Sequence, residues 1–395
     1  MHATGPLNGR RVLELGGYVA APFATMVLCH LGADVIKVES LSGDPTRVRK
    51  ANFVANNPGK RSIALNLRDD RSRPIWESLV QSADVIIHNL DAAATEKLRI
   101  GYAECRAINL SLIYCHIKAF GRGPYSDRPA TNPIVEALTG IMSITWADGK
   151  PARQAASFYD QMAGMFAALE VAVALTTRDD DANGGYIETD LFETGLFSVA
   201  PRLADYMLNR ELQGEVWGTA PYDTFQTSDG QWIYLGVVND ALWRSFCAAL
   251  GLTEQGADPE IATSAQRLAR KAYVDQVAGE AIGRLSRDEA LARLRAAGIP
   301  CAPVNNFGQT LQDEHVRSEG KLYEVSYDGE EVLLPAFPVV SSSVSGIARA
   351  EVPSLGEHSA EIIRSLGYGD DDLAALIDAG VVRAPVPDTG SQLAR

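Results

Sequence analysis

Asp160 is the side chain whose surroundings in the sequence best suit covalent chemistry. It follows the segment Ala155–Tyr159 and precedes the apolar stretch Met162–Leu169, a pattern that predicts the start of a long core helix. There the carboxylate can accept hydrogen bonds from free helix N–H groups and act as a structural cap. A carboxylate held ionised beside an apolar wall can instead be a nucleophile that forms a covalent acyl intermediate. The spacing alone favours the cap and does not separate the two roles.

Other reactive side chains are scattered along the chain. His88 and His116 end two predicted strands and could face a common cleft, so they are secondary candidates. We expect no metal site and no disulfide framework, because the cysteines form neither a CxxC motif nor a Cys/His cluster. The five cysteines are Cys29, Cys105, Cys115, Cys247 and Cys301.

A dinucleotide site is the first alternative that a glycine-containing loop after a strand suggests. Glu39 stands at about the spacing of a ribose-binding acid. Residues 16–21 read Gly-Gly-Tyr-Val-Ala-Ala, however, and lack the spaced glycines of GxGxxG, which disfavours NAD. The loop can still contact a nucleotide-like ligand, because open α/β sheets bind ligands at the carboxyl ends of their strands.

The first part of the chain alternates strand and helix patterns, which predicts a parallel sheet covered on both faces. The main predicted strands are Arg11–Leu15, Ala33–Glu39, Ser62–Leu67, Asp84–His88 and Leu112–His116. A long apolar helix is predicted over Asp160–Thr176. Near residue 220 the pattern changes to a hairpin, Thr224–Leu235, followed by helices, which predicts a small α+β unit.

Composition and charge limit the possible functions. Hydrophobic residues make up 46% of the 395 residues and charged residues 22%, which is typical of a globular protein. The net charge of −14 disfavours binding to nucleic acids and to anionic membranes. The N-terminus lacks an apolar signal core, and no apolar run reaches the ~18 residues of a membrane span, so we expect a cytoplasmic protein.

An ordered series of segments resembles the class III CoA-transferase family, which includes formyl-CoA transferase, carnitine CoA-transferase and 2-methylacyl-CoA racemase. Each segment alone is weak, but their order along nearly the whole chain is specific. The segments are Val12–Leu15, Ala20–Pro22, Leu31–Glu39, Gly43–Arg47, Gly59–Leu65, Ala83–Asn89, Phe120–Pro124, Asp160–Gly164, Tyr222–Phe225 with Asp229–Gly230, Gly298–Pro303 and Leu355–His358.

The resemblance implies the architecture and the assembly. It implies a Rossmann-like large domain from both chain ends (1–200 and 316–395), a linker (201–220) and a small α+β domain (221–315). It further implies two subunits interlocked as a homodimer.

The resemblance also implies the chemistry and gives Asp160 the role of nucleophile. Its carboxylate would attack an acyl-CoA to give an aspartyl–acyl anhydride and then an aspartyl-CoA thioester, from which a carboxylic acid takes the CoA. Coenzyme A enters as substrate, and no tightly bound cofactor is expected. The positions that match CoA-contacting segments of the family are Tyr18, Val19, Ala20, Leu65, Arg68, Asn89, Leu90, Lys97 and Leu98.

Three segments depart from the patterns of the family's branches. The racemase branch has a histidine–aspartate pair where this chain has Thr131-Asn132, which favours transfer over racemisation. Gly214–Ala220 lacks the glycine run of formyl-CoA transferases, and Asn89–Ala93 differs from the usual Asn-Phe-Arg-Pro-Gly. A racemase-like enzyme and a CoA-binding protein without turnover remain the alternatives; the retained Asp160 disfavours the second.

Overall fold

The computed structural model describes residues 5–178, 183–209, 218–344 and 349–385. The chain forms two compact units. One combines the N-terminal stretch up to Ala200 with the C-terminal stretch from Ser318, and the other is Pro201–Arg317. Residues 210–217 of the predicted linker, which include residues 214–217 of the divergent Gly214–Ala220 segment, lie outside the described residues. The domain boundaries and the interlocked assembly stay predictions.

The strands and helices follow in chain order. The strands are β1 (Arg11–Leu15), β2 (Asp34–Glu39), β3 (Arg61–Leu65), β4 (Val85–His88), β5 (Ile113–Lys118), β6 (Trp146–Ala147), β7 (Lys150–Pro151), β8 (Tyr186–Asp190), β9 (Tyr222–Gln226), β10 (Trp232–Gly236), β11 (Cys301–Pro303), β12 (Leu322–Tyr327), β13 (Glu330–Pro335), β14 (Arg349–Glu351) and β15 (Val382–Arg383). The helices are α1 (Ala20–His30), α2 (Lys50–Asn56), α3 (Arg73–Gln81), α4 (Ala92–Leu98), α5 (Tyr102–Ile108), α6 (Asn132–Leu138), α7 (Phe158–Thr177), α8 (Leu191–Ser198), α9 (Ala200–Asn209), α10 (Asp240–Leu250), α11 (Thr253–Ala257), α12 (Ser264–Ala269), α13 (Lys271–Ile282), α14 (Arg287–Ala296), α15 (Phe307–Gln312), α16 (Ser359–Ser365) and α17 (Asp370–Asp378).

A seven-stranded sheet organises the first unit. Its strand order is β15-β3-β2-β1-β4-β5-β8, and every neighbouring pair is parallel except β15 with β3. The predicted α/β class with a parallel sheet is confirmed. The chain runs outward from β1 through β2 to β3 and then returns to β4 on the other side of β1. In open α/β sheets, ligands usually bind in a crevice at the carboxyl ends of the two strands where the order reverses, which here are β1 and β4.

Apolar strands and helices bury the two faces of this sheet. The strands are rich in Val, Ile and Leu because both faces are covered. On one face α7 lies against α1, and Gly164 makes the contact possible: a Cβ at this position would lie 2.6 Å from the carbonyl oxygen of Ala20. Within the described residues α7 is the one helix long and apolar enough to cross a membrane, yet seven of its residues are buried in this packing.

The second unit has its own small sheet and core. The antiparallel strands β9, β10 and β11 lie side by side, and the predicted Asp229-Gly230 turn joins β9 to β10. The aromatic rings of Trp243 and Phe246 lie in its core, which α13 and α14 help to enclose. This unit thus combines an antiparallel sheet with helices.

Candidate functional site

The loop after β1 lies at the crevice and is fixed to the end of β4. Gly17 donates its N–H to Oδ1 of Asn89 (3.1 Å) and accepts a hydrogen bond from Nδ2 of Asn89 (2.9 Å). Gly16 has a φ of 135°, and a Cβ there would come within 2.0 Å of Asn89 Oδ1, so glycine is required. Tyr18 follows with a φ of 65° and an exposed ring. The loop is thus held in a defined shape before any ligand arrives.

Buried charges support the same loop from inside the sheet. Glu14 of β1 forms ion pairs with Lys37 of β2 (2.5 Å) and with Lys60 (2.7 Å), and Lys37 also pairs with Asp44 (2.8 Å). Burial alone would raise the pKa of Glu14, but the two ammonium groups outweigh it and lower that pKa to about 2. Lys60 also donates to the carbonyl oxygen of Pro22. The network therefore ties the end of β1 to β2 and to the first turn of α1.

The residues predicted to contact CoA fall at the ends of three strands. Tyr18, Val19 and Ala20 follow β1; Leu65 and Arg68 lie at or after β3; and Asn89, Leu90, Lys97 and Leu98 follow β4. The side chains of Tyr18, Arg68 and Lys97 are exposed, whereas Ala20 and Leu65 are buried. The structure thus places most of these positions at or just after the carboxyl ends of the strands, whereas Lys97 and Leu98 lie at the end of α4; their contact with CoA stays a prediction.

His88, the last residue of β4, and His116, inside β5, form a stacked pair with ring centroids 4.1 Å apart. Nδ1 of His88 accepts the N–H of Leu90 (3.3 Å), and Nε2 of His116 lies 2.9 Å from the Leu90 carbonyl oxygen. Burial lowers the pKa of His88 well below its usual range. The pair braces Leu90 from within the protein, which makes His88 a poor candidate for direct proton transfer.

Glu39 does not have a free carboxylate for a ribose. Its oxygens accept hydrogen bonds from the Arg47 guanidinium (2.6 and 2.8 Å), the Ser62 hydroxyl (2.7 Å) and the Asp44 N–H (2.9 Å). The side chain is almost completely buried. These contacts give Glu39 a structural role and count against the dinucleotide alternative.

Asp160 lies in the first turn of α7, and its carboxylate is not the cap of this helix. The N–H groups of Tyr159 and Asp160 donate to Oδ1 of Asn132 (3.0 and 3.3 Å). The N–H of Phe158 donates to the carbonyl oxygen of residue 156, and that of Gln161 to the carbonyl oxygen of residue 157. The N–H groups of the first four helical residues, Phe158–Gln161, therefore have acceptors other than the Asp160 carboxylate. The capping role that the spacing favoured is wrong.

The environment of Asp160 changes its acidity. Burial raises its pKa to about 6, the negative charge of Glu136 acts in the same direction, and a hydrogen bond from the Ser157 side chain acts against both. Asp160 lies one helical turn, about 5.4 Å of helix axis, before Gly164, which contacts Ala20. A partly exposed carboxylate of this kind is ionised at neutral pH and suits nucleophilic attack.

Asn132 and Glu136 have a structural role that no pattern in the sequence indicates. Nδ2 of Asn132 donates to Oε1 of Glu136, and Oε2 of Glu136 accepts the N–H of Gln154 (2.8 Å). In the sequence, the Thr131-Asn132 pair indicates only the absence of the racemase histidine–aspartate pair. The Asn-Pro dipeptide that starts α6 marks a helix start, but nothing local shows that Asn132 caps a different helix.

Within the described ranges no group of three or more His, Cys, Asp or Glu side chains has a geometry that could hold a metal ion. The five cysteines are free thiols, four of them buried.

Comparison with known proteins identifies the relatives of this chain. A family model described as CoA-transferase family III matches residues 7–359. A succinate–glutarate CoA-transferase from Agrobacterium fabrum is 30% identical over 91% of this chain and 96% of its own length. A succinyl-CoA–L-malate CoA-transferase beta subunit from Chloroflexus aurantiacus is 29% identical over 96% of this chain and 98% of its own length.

The solved structures agree with these sequence matches. A CAIB/BAIF family protein from Brucella suis superimposes with a TM-score of 0.83 at 31% identity, covering 92% of this chain and all of that one. Rv3272 from M. tuberculosis gives a TM-score of 0.81 at 26% identity, covering 91% of this chain and 99% of the other. The resemblance found in the sequence is confirmed.

Proposed function

Because this chain belongs to CoA-transferase family III, we propose that Asp160 is its catalytic nucleophile. The family makes it an enzyme of this class, acting on acyl-CoA and carboxylate substrates. One observation carries the proposal for Asp160: the N–H groups of Phe158–Gln161, the first four residues of α7, all have other acceptors, so none of them occupies the carboxylate. A carboxylate left available in this way can attack an acyl group.

The proposed reaction proceeds by exchange of acyl groups on Asp160. A carboxylate oxygen adds to the thioester carbonyl carbon, the C–S bond breaks, and CoA leaves as a thiolate from a mixed aspartyl–acyl anhydride. The thiolate then adds to the aspartyl carbonyl carbon, which releases the donor acid as a carboxylate and leaves an aspartyl-CoA thioester. The acceptor carboxylate reverses these two steps and regenerates Asp160. No ATP is required, because one activated acyl group replaces another.

CoA is proposed to bind along the carboxyl edge of β1, β3 and β4. The fixed loop at Gly16–Tyr18 offers main-chain groups, and the exposed Arg68 and Lys97 supply positive charge to an anionic ligand on an acidic protein. CoA enters as a substrate in this proposal, and no tightly bound cofactor takes part.

Dicarboxylic acids are the substrate class that we propose for the acyl group and its acceptor. The relatives at 29–30% identity are named for succinate, glutarate and malate, and they match this chain over almost its whole length. A racemase activity is less well supported, because Asn132 carries no base and its amide is occupied in capping α7. A panel of free acids with labelled CoA identifies the acceptor.

The active protein is proposed to be an interlocked homodimer. Met165, Phe166, Leu169 and Val173 form an exposed apolar row on α7, and Phe197 of α8 continues it. A surface of this kind is typical of a subunit interface. Leu169→Glu should shift the sedimentation coefficient towards that of a monomer. Leu110→Glu, at a leucine of similar exposure in a loop of the same unit, should not.

A cytoplasmic location is also proposed, since all five cysteines are free thiols. Cell fractionation with antibody detection tests it, and recovery of the protein outside the cytoplasmic fraction would count against it.

Trapping of the covalent intermediate tests the role of Asp160. We expect hydroxylamine to convert Asp160 into a hydroxamate only when an acyl-CoA is present, as detected by peptide mass spectrometry. Asp160→Asn should abolish both the adduct and CoA exchange. The control Asp371→Asn, at an exposed carboxylate of α17, should retain both. Full exchange by the Asp160→Asn protein would rule out the proposal.

A further inference from the structure

A buried polar network joins α6 to the start of α7. Asn132 opens α6, and its side chain is 4% exposed; Glu136, one turn later, is 1% exposed. The side chain of Asn132 reaches α7 and caps it, because its Oδ1 accepts hydrogen bonds from the N–H groups of Tyr159 and Asp160. The start of the helix that carries Asp160 is therefore capped by a residue 28 positions earlier in the chain.

The orientation of the Asn132 amide decides whether this capping works. An asparagine amide has an accepting and a donating end, and only the accepting oxygen can bind the two N–H groups of α7. Glu136 fixes this orientation, because its Oε1 accepts a hydrogen bond from Nδ2 of Asn132. With Nδ2 held by Glu136, Oδ1 faces the helix.

Glu136 is an unusual buried carboxylate. Within the described part of the chain it forms no ion pair with a lysine, arginine or histidine, and its oxygens accept the Asn132 amide and the Gln154 N–H. Burial of a carboxylate without a cation costs stability. A neutral glutamine could not replace both hydrogen bonds, since one end of its amide donates.

We propose that Asn132 and Glu136 are positioning residues that hold the first turn of α7 and thereby keep the Asp160 carboxylate free for attack. Asn132 binds the N–H groups that would otherwise attract this carboxylate, and Glu136 keeps Asn132 in the required orientation. This inference rests on the proposed role of Asp160 as nucleophile.

The electrostatic effect of Glu136 agrees with the geometry. Of the charged groups around Asp160, Glu136 is the one whose charge raises the pKa of Asp160, in addition to burial. Removing that charge should therefore lower the pKa of Asp160 and extend the active range to lower pH. A change in helix stability alone would not produce this shift.

The test compares Asn132→Ala and Glu136→Gln with Thr139→Val. Thr139 lies directly after α6; its hydroxyl is 3.1 Å from the hydroxyl of Tyr159 and donates to the main-chain carbonyl oxygen of Glu136 (3.2 Å). This control therefore removes a buried contact between the same elements while leaving the side chains of Asn132 and Glu136 and the hydrogen bonds between them in place. The measured quantities are the single-turnover rate of hydroxylamine-trapped adduct formation from pH 4.5 to 8, the dissociation constant of CoA by calorimetry, and the melting temperature.

We expect Asn132→Ala to slow adduct formation by about 10-fold to 100-fold, the loss that small misplacement of a reacting group produces. CoA affinity should change less than about twofold, because the CoA segments are untouched. Glu136→Gln should move the acid limb of the rate profile to lower pH, and Thr139→Val should lower the melting temperature without moving that limb.

The outcomes separate this inference from the function on which it rests. If the wild type forms the Asp160 adduct but both variants keep the wild-type rate and acid limb once corrected for the folded fraction, the positioning role is wrong and the nucleophile stands. If the wild type forms no adduct with any acyl-CoA, the proposed nucleophile itself fails. A lower melting temperature with an unchanged pH profile would assign the network to stability alone.

Discussion

Asn89 binds Gly17 with both ends of its side-chain amide, at 3.1 Å and 2.9 Å. Asn89 follows β4 and Gly17 follows β1. These strands are neighbours, and the order in which the chain adds strands to the sheet reverses between them. This double hydrogen bond thus ties the ends of β1 and β4 together and sets the main-chain conformation of the loop that Tyr18 continues. Asn89 can therefore influence CoA binding through the loop as well as by direct contact.

Asn89→Ala should weaken CoA binding more than it slows the chemical step. Loss of two hydrogen bonds of about 1 kcal/mol each frees the loop, and we expect the dissociation constant of CoA to rise about 10-fold or more. Isothermal titration calorimetry measures this directly. Asn109→Ala is a suitable control, because Asn109 also holds two backbone groups but lies away from the crevice. Equal loss of CoA affinity in both variants would contradict a specific role for Asn89.

Asp160→Asn should make the protein more stable at neutral pH. The pKa of Asp160 is raised from 3.8 to about 6, so the folded state binds a proton more tightly than the unfolded state does. The destabilisation of the folded state by ionised Asp160 is absent below about pH 4. It grows as the pH rises from about 4 to about 6 and is complete above that value. We expect a gain on the order of 1 kcal/mol at pH 7.5, measured by urea unfolding. If Asp160→Asn does not increase the free energy of unfolding at pH 7.5, or increases it equally at pH 4, then burial does not destabilise the ionised Asp160 carboxylate.

The acid limb of wild-type activity should report the same carboxylate. Attack requires ionised Asp160, so the rate of adduct formation should fall as the pH drops through about 6. Rapid chemical quenching, with the adduct trapped by hydroxylamine, gives the rate of adduct formation at each pH. If the rate of adduct formation falls only near pH 4, then the pKa of the Asp160 carboxyl group is not raised when the substrate is bound.

Glu14→Gln should strongly destabilise the first unit, which contains the seven-stranded sheet. Lys37 and Lys60 would keep their buried charges with a weaker partner, and loss of one member of such a cluster costs about 3–5 kcal/mol. The pKa of Glu14 is depressed from 4.5 to about 2, so its contribution is present above pH 4.5 and is lost as the pH falls towards 2. Unfolding free energies at pH 7 and pH 3.5 test both statements. The difference in unfolding free energy between the wild type and Glu14→Gln is the contribution of Glu14. An equal difference at pH 7 and at pH 3.5 would contradict the predicted pH dependence.

Gly164→Ala should separate α1 from α7. The added methyl group would lie 2.6 Å from the Ala20 carbonyl oxygen, a backbone atom that cannot rotate away. Overpacking of this kind costs about 1–3 kcal/mol. Because Asp160 lies one turn earlier on α7, the shift should also slow adduct formation. The Gly308→Ala control in α15 meets only the side-chain oxygen of Asn306 at 3.3 Å and should leave the adduct rate unchanged.

The sequence predicted those parts of the molecule that depend on local pattern. Strand β1 matches its predicted bounds, and Asp160 lies in the first turn of the long helix as expected. The capping role was wrong because the actual acceptor, Asn132, belongs to a separate helix, and no spacing rule connects residues so distant in sequence. Glu39 shows the same limit: its position at the end of β2 matches a ribose-binding acid, but Arg47 and Ser62 occupy its oxygens only in the folded chain.

The antiparallel edge strand β15 has a consequence for how the protein is made. It pairs with β3 through Val382 and Leu65, and Ser359 also binds the N–H of Ala64. Three hundred residues or so of chain separate these partners, including the whole of the second unit. During synthesis the second unit has all its strands before the first can close its sheet edge. A ribosome-bound chain therefore carries an unpaired β3 edge until residues 382 and 383 have been synthesised, and an unpaired strand edge of this kind is prone to aggregation.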